Sequence, residues 1–311
     1  MKIIFMGTPD FSVGALEAII EAGHEVTLVV TQPDKPKGRS GQMQFSPVKE
    51  CALKHDIPVF QPERIKRPEA VEELKKYEAE MFVVVAFGQM LSQEILDMPK
   101  YGCINIHASL LPNYRGCAPI NWCIINGEKE TGVTIMKMNI GCDTGDMLLK
   151  SVVPIAAKET AETLFDKLAI EGARLIVEAI PKIESGELVP EKQDENEFKF
   201  YAKMMDKALG EIDWKKPAVE IERLVRGLNS WPSAFTHVQG KTLKIWDSDV
   251  IREEATHTPG EIIAVNKDSF DVACGEGVLR ILELQLEGKK RMDTKSFLLG
   301  NQWKPGMLLG K

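Results

Sequence analysis

The N-terminal stretch limits how this chain can fold more than any other. Lys2-Ile-Ile-Phe-Met6 is an apolar run of strand length, and Gly7 permits a tight turn after it. Thr8-Pro9-Asp10 then carries the marks of a helix start: a hydroxyl for the N-cap, Pro at the first helical position and an acid in the first turn. A helix is predicted from Phe11 to Ala22; Gly23 ends it, and Glu25 to Thr31 returns as a second apolar strand. Strands joined through a helix run parallel, because such a crossover brings the chain back to start in the same direction. Parallel strands are covered on both faces, and Met81-Phe-Val-Val-Val-Ala86 is the continuous apolar run that such a strand needs. The fold class read from this is α/β, with a Rossmann-like, mostly parallel sheet. No Gly-x-Gly-x-x-Gly accompanies it, so a dinucleotide fingerprint is not supported.

At 311 residues the chain has room for a second domain. Ser46-Pro47 opens a helix to about Lys54, Pro68 to Tyr77 is another, and Ser92 caps a short one. Pro119 to Ile125 also reads as helical, Thr131 to Met138 and Met147 to Ile155 as strands, and Thr160 caps a long amphipathic helix to about Glu184. The stretch after it is rich in Glu, Gln, Asp and Asn, which marks a linker over residues 186–206. It separates a domain over 1–185 from one over 207–311. In the latter, Pro217 to Leu228 reads as a helix, and short strand-like runs at 234–238, 242–246, 261–265, 270–273 and 278–284 are joined by tight turns. That pattern predicts a smaller β-barrel or sandwich.

A net charge of −7 argues against a broadly basic, polyanion-binding surface. The balance is uneven: residues 207–311 hold 16 Lys/Arg against 15 Asp/Glu, with Lys289-Lys290-Arg291 as their only basic cluster. The six cysteines (51, 103, 117, 123, 142 and 274) form no Cys-x-x-Cys pair and read as small buried hydrophobes in a reducing compartment. The five histidines show no metal-ligand spacing, so no metal is expected. No apolar run approaches the ~20 residues that span a bilayer, and the N-terminal run is too short for a signal-peptide core. A cytoplasmic protein without membrane contact is expected.

Chemistry gathers at Asn105-Ile-His107. On a strand, residues two apart aim their side chains at the same volume. An amide donor beside a titratable imidazole suits a developing oxyanion; taken alone, the pair also fits the capping of a strand end. Asp143, in the loop Gly141-Cys-Asp-Thr-Gly145-Asp146 after a later strand, adds a carboxylate, on the expectation that loops after parallel strands share one edge. No Ser or Cys sits in a nucleophile elbow, so acyl transfer to an amine without a covalent enzyme intermediate is favoured. The Gly/Pro-rich loop from Gln32 to Phe45, with Lys35, Lys37 and Arg39, belongs at the same ligand-binding edge.

In these residues the chain resembles the folate-dependent formyltransferases. The resemblance rests on Asn105-Ile-His107, Ser109-Leu-Leu-Pro112-Asn-Tyr-Arg115-Gly116, Pro119-Ile120 and Gly141-Cys-Asp143-Thr-Gly145-Asp146. Phe5-Met-Gly7-Thr-Pro-Asp10-Phe11, Gln32-Pro-Asp34-Lys-Pro-Lys-Gly38-Arg39, Ser46-Pro-Val-Lys49 and Gly227-Leu-Asn-Ser-Trp231-Pro232 extend it over both domains. These last motifs point to the members whose acceptor is initiator methionyl-tRNA. The resemblance implies formyl transfer from 10-formyltetrahydrofolate to the methionine amine in translation initiation, without a metal. It implies that Asn105, His107 and Asp143 are catalytic. Phe87, Gly88, Gln89, Met90, Leu91, Ser109, Leu110, Leu111, Pro112 and Ile140 would hold the folate, largely through backbone groups. Lys35, Lys37 and Arg39 would reach the acceptor end of the tRNA. The C-terminal barrel would be of the oligonucleotide-binding (OB-like) kind and hold the acceptor arm, and the protein would be a monomer.

One departure stands out. Where the family commonly continues with lysines after Gly38-Arg39, this chain reads Ser40-Gly-Gln-Met-Gln44, which predicts weaker, less salt-dependent tRNA binding. Three rivals keep the same site or lose it. A nucleotide-linked amino sugar as acceptor is opposed by the basic loop around Arg39, and glycinamide ribonucleotide by the second domain. An RNA-binding module with a dead α/β domain is opposed by the intact trio.

Overall fold

A computed structural model describes residues 1–37, 42–251 and 257–310. Arg39 and Ser40-Gly41 of the lysine-poor stretch lie outside the described residues. The chain divides into two compact units. The first takes Met1–Gly116, Glu130–Pro154 and Phe165–Ala202; the second takes Cys117–Lys129, Ile155–Leu164 and Lys203–Lys311.

The strands of the first unit are β1 (Lys2–Gly7), β2 (Glu25–Val30), β3 (Lys35–Lys37), β4 (Gln42–Gln44), β5 (Val59–Phe60), β6 (Met81–Val85), β7 (Cys103–His107), β8 (Arg115–Gly116), β9 (Glu130–Lys137), β10 (Met147–Pro154) and β11 (Tyr201–Ala202). Helices in chain order are α1 (Val13–Glu21), α2 (Pro47–Lys54), α3 (Pro68–Leu74), α4 (Gln93–Leu96), α5 (Pro119–Ile125) and α6 (Ala161–Glu184). Seven strands form one sheet in the order β10-β9-β7-β6-β1-β2-β5. β5, β2, β1, β6 and β7 are parallel, whereas β9 runs antiparallel to β7 and β10 antiparallel to β9. The mostly parallel sheet is therefore as its sequence predicts.

Period-two alternation divides the sheet into two faces. Ile4, Met6, Leu28, Val30, Phe82, Val84 and Cys103 belong to one core with α3 and α4 residues Ala70, Val71, Leu74, Ile95 and Leu96. Asn105 and His107 continue the Cys103 face, so polar side chains follow directly where that apolar layer ends. On the opposite face Gly172 of α6 lies against Ile106, where a Cβ would meet the Ile106 side chain.

The helix after β1 departs from its predicted start. Asp10–Ser12 forms a 3-10 turn before α1, and no side chain caps it. Thr8 donates its hydroxyl to the Phe87 carbonyl at 3.2 Å instead, and the buried Ser12 hydroxyl reaches the Val85 carbonyl at 2.7 Å. A carbonyl at the end of the neighbouring parallel strand satisfies Thr8 in place of its own helix.

The second unit carries β12 (Ala234–Val238), β13 (Lys241–Ile251), β14 (Ile262–Val265), β15 (Phe270–Ala273), β16 (Val278–Leu286) and β17 (Met292–Asp293), with α7 (Ala218–Gly227) and α8 (Thr294–Leu299). Its antiparallel sheet runs β12-β13-β16-β15-β14, with β17 on β16. Ala234, Leu243, Ile245, Phe270, Val272, Leu279 and Ile281 form one core with Ile221 and Val225 of α7 and Phe297 of α8. β13 outruns its predicted span because register shifts on either side of Asp247 bend the strand and let it continue through Asp247-Ser-Asp249. The Asp293 cap on the Ser296 N–H, at 2.7 Å, starts α8, an element that the sequence reading did not anticipate.

Candidate active site

β7 delivers Asn105 and His107 to one face, both nearly buried at 8% and 6% exposure. The loop after β9 brings Asp143 to them. Asn105 Nδ2 lies 3.4 Å from Asp143 Oδ1, and His107 Nδ1 lies 3.7 Å from the same oxygen. The trio therefore meets, but not by a shared sheet edge. Lys137, the last residue of β9, pairs with Ile104 near the start of β7. An antiparallel β9 thus releases its loop at the opposite end from His107, and Asp143 reaches the trio because that loop folds back over the sheet face.

Each member of the pair has its own anchor. His107 Nε2 lies 2.9 Å from the Tyr114 carbonyl oxygen. A carbonyl can only accept, so Nε2 carries the proton and Nδ1 is the nitrogen left to exchange one beside the carboxylate. Asp143 Oδ2 accepts the Gly116 N–H at 2.9 Å. Asp143 itself takes φ 54°, in the left-handed region that non-glycine residues rarely occupy. Gly116 takes φ 112°, and a Cβ there would stand 2.6 Å from the Ala202 carbonyl, so only glycine lets β8 and β11 approach this closely.

The segment expected to be a linker contributes to this ground. β11 pairs with β8 in parallel, Tyr201 with Arg115 and Ala202 with Gly116. Gln193 Nε2 donates to the carbonyls of Asp143 and Gly145, both at 2.8 Å, and its Oε1 accepts from Arg115 Nε at 2.8 Å. The buried Arg115 guanidinium forks onto Glu195 at 2.8 and 3.2 Å and lies over the Phe198 ring. That hydrogen-bonded pairing holds the Glu195 carboxyl below its usual range. Sequence reasoning gave Gln193, Tyr114 and Gly116 no such role. A backbone partner leaves no side-chain signature, and Gln193 is one polar residue in a polar stretch.

The residues expected around a folate fall into two groups. Phe87 and Leu91 are buried in the core, and the Phe87 carbonyl already accepts from Thr8 and from Gln32 Nε2 at 3.1 Å. Gln89 spends its side chain on backbone, accepting from Ile65 N–H at 2.7 Å and donating to the Pro62 carbonyl at 3.0 Å. Gly88 turns the chain at φ 82°. Met90 and Ile140 present apolar surface, 43% and 57% exposed. Ser109 donates to the Asn113 carbonyl at 2.8 Å, and Thr134 bridges the Ser109 carbonyl to the Leu111 N–H. Leu111 and Pro112 are buried, and Leu110 is half-buried. Beside Gln89 and Met90 opens a cavity of about 550 Å³ whose wall includes Arg64, Lys66 and Arg67. Lys35 is exposed on β3, and Lys37 closes that strand.

Among the described residues one trio, Glu17, Cys51 and His55, brings potential metal-ligand atoms within 4.8 Å of one another, and it includes none of the residues above. Burial and Glu17 push the Cys51 thiol up to about 11, so it is protonated at neutral pH. Among the described residues no helix is long and apolar enough to cross a membrane.

Residues 1–180 match the formyl transferase family, and residues 204–302 match the formyl transferase C-terminal domain. A methionyl-tRNA formyltransferase of Agathobacter rectalis is 59% identical over 302 residues, 96% of each chain. Another, of Lachnospira eligens, is 55% identical over the whole of both chains. Among solved structures, WlaRD, a sugar 3N-formyl transferase, aligns with a TM-score of 0.67 at 21% identity, over 93% of this chain and 99% of its own. HypX from Aquifex aeolicus in complex with tetrahydrofolic acid aligns with a TM-score of 0.62 at 18% identity, over 99% of this chain and 50% of its own. At those identities the two structures share the fold.

Proposed function

We propose that this chain, which belongs to the formyl transferase family in both of its parts, moves a formyl group from 10-formyltetrahydrofolate to the methionine amine of initiator methionyl-tRNA. The observation that carries the chemistry is the meeting of Asn105, His107 and Asp143 on one sheet face. The acceptor is supported by full-length identity above one half to proteins named for that reaction.

The neutral amine attacks the formyl carbon, a C–N bond forms, and the formyl oxygen becomes an oxyanion. Asn105 has two amide hydrogens; one faces Asp143 at 3.4 Å, and the other serves the oxyanion. His107 takes the amine proton on Nδ1. The imidazolium so formed is balanced by the Asp143 carboxylate at 3.7 Å, and its Nε2–H stays on the Tyr114 carbonyl. As the tetrahedral species collapses, the bond from carbon to folate N10 breaks, and His107 returns the proton to that nitrogen.

The residues present fit a folate. Two of the residues expected to hold it, Gln89 and Met90, line an open depression of about 550 Å³, within the order of 300–1,000 Å³ of small-molecule sites. Met90 and Ile140 offer apolar contact, and Gly88 and the Ser109–Pro112 turn offer backbone. The buried Phe87 and Leu91 side chains shape the turn from behind. Lys35, Lys37 and Arg39 are assigned to the acceptor end of the tRNA and the second unit to its acceptor arm. The protein works in the cytoplasm, where initiator tRNA is charged, and acts as a monomer.

The test is to supply 10-formyltetrahydrofolate with charged initiator tRNA and measure formylmethionine. Formylation of initiator over elongator methionyl-tRNA is expected. Turnover of an amino sugar nucleotide with none of the tRNA would assign the acceptor elsewhere.

A further inference from the structure

The strand pair β8–β11 and the Gln193 side chain hold, from one segment, the anchors of both His107 and Asp143. Three observations converge on residues 193–202. The Tyr114 N–H donates to the Phe200 carbonyl at 3.0 Å, and the two rings pack at 5.4 Å, so the carbonyl that fixes His107 is itself fixed by this segment. Gly116, whose N–H holds the Asp143 carboxylate, pairs with Ala202. Gln193 places both amide hydrogens on the carbonyls of Asp143 and Gly145, gripping the loop backbone on either side of Thr144.

We infer that Gln193 is a positioning residue for formyl transfer, holding Asp143 in its left-handed conformation at a fixed distance from His107, within a strap over residues 193–202 that completes the site. The inference deepens the formyl-transfer reading and rests on it. Gln193 suits the task because its two hydrogens diverge from one nitrogen onto two carbonyls, while its oxygen is held by Arg115, which Glu195 and Phe198 hold in turn. An acceptor-only group of the same shape cannot do this. Without the clamp, Asp143 keeps its carboxylate contact to Gly116, but its backbone is free to relax toward φ < 0, which moves the carboxylate relative to His107 Nδ1. A displacement on the order of 1 Å at such a pair is enough to cost roughly a hundredfold in rate.

Gln193→Glu keeps the size and the Arg115 contact but replaces the donor by a carboxylate facing two carbonyls; Gln193→Met removes the polar group at similar length. Both are assayed against the wild type with 10-formyltetrahydrofolate and charged initiator tRNA. The expected result is a kcat lower by about 10- to 100-fold, KM for both substrates within about threefold, and a shifted pH profile of kcat with Tm little changed. Imidazole nitrogen NMR of His107 supplies a readout without turnover. Wild type shows the Nε2-protonated tautomer, and the variants show an altered tautomer balance. Wild-type kcat and pH profile in Gln193→Glu overturn the inference, as does a loss of activity that follows only a lower Tm with the His107 spectrum unchanged. If the wild type formylates no tRNA while the variants still alter the His107 spectrum, the acceptor reading fails and the positioning role stands.

Discussion

Asp143 spends its contacts unevenly. Its carboxylate is shared by a backbone N–H, an amide and an imidazole, while its main chain sits at φ 54°, a conformation costing a non-glycine residue about 1 kcal/mol or more. Such a residue cannot be traded for a neighbour in the loop. Replacing Asn105, His107 or Asp143 singly by Ala is expected to lower formyl transfer at least roughly a hundredfold, the usual loss when an oxyanion donor or acid/base group is removed. Single-turnover rates with bound folate measure this, and near-wild-type rates in all three variants would sink the mechanism. Asn105 and His107 were legible in the sequence because strand periodicity alone puts them on one face. Asp143 was legible as a residue but not as a route: its arrival depends on the direction of β9, and a single strand's pattern does not say whether its partner is parallel. The Tyr114 carbonyl and the Gly116 N–H were invisible because any residue carries such groups.

Among elements, the loop after β2 is tied down by a closed polar network. Lys49 of α2 reaches Asp34 at 2.5 Å and Gln61 at 2.8 Å, and Gln61 donates to Asp34 at 2.7 Å and to the Gln32 carbonyl at 3.0 Å. Hydrogen bonds from Lys49 and then Gln61 hold the Asp34 carboxyl below its ordinary value. A depressed carboxylate contributes stability that is present above the unfolded pKa, about 3.9, and lost as pH falls through the folded value. The stability difference between wild type and Asp34→Asn is therefore expected to be constant near neutral pH and to shrink below about pH 4. Urea melts across that range measure it, and a difference independent of pH would show that Asp34 acts through shape alone. The helix start behind this network was legible, since Ser46 accepts the Lys49 N–H at 3.1 Å as its position before Pro47 predicts. Thr8 carried the same local signal and did not cap, because a strand-end carbonyl far away in sequence competed for its hydroxyl.

For the molecule as a whole, the sequence of elements is not the sequence of units. α5 lies between β8 and β9 in the chain yet belongs to the second unit, where Asn121 donates to the Gly227 carbonyl at the end of α7. The hydrophobic pattern predicts each of these helices but not their pairing, because an amphipathic face does not name its partner. A fragment beginning at residue 203 lacks α5 and also Ile155–Leu164, the other earlier segment of that unit. Its α7 amides are expected to exchange at least about tenfold faster than in the full chain, the factor that ~1.4 kcal/mol makes. Equal protection in both would mean that α5 adds nothing to the second unit. The pairing of β11 with β8 has a further consequence, for synthesis on the ribosome. Asn105 and His107 are translated long before Gln193 and Ala202. At roughly 5–20 residues per second, β7 waits on the order of 5 to 20 seconds for the segment that fixes its partners. A nascent chain can therefore form most of the first sheet and still lack the β8–β11 pairing, which is finished only when the last residues of that unit leave the exit tunnel.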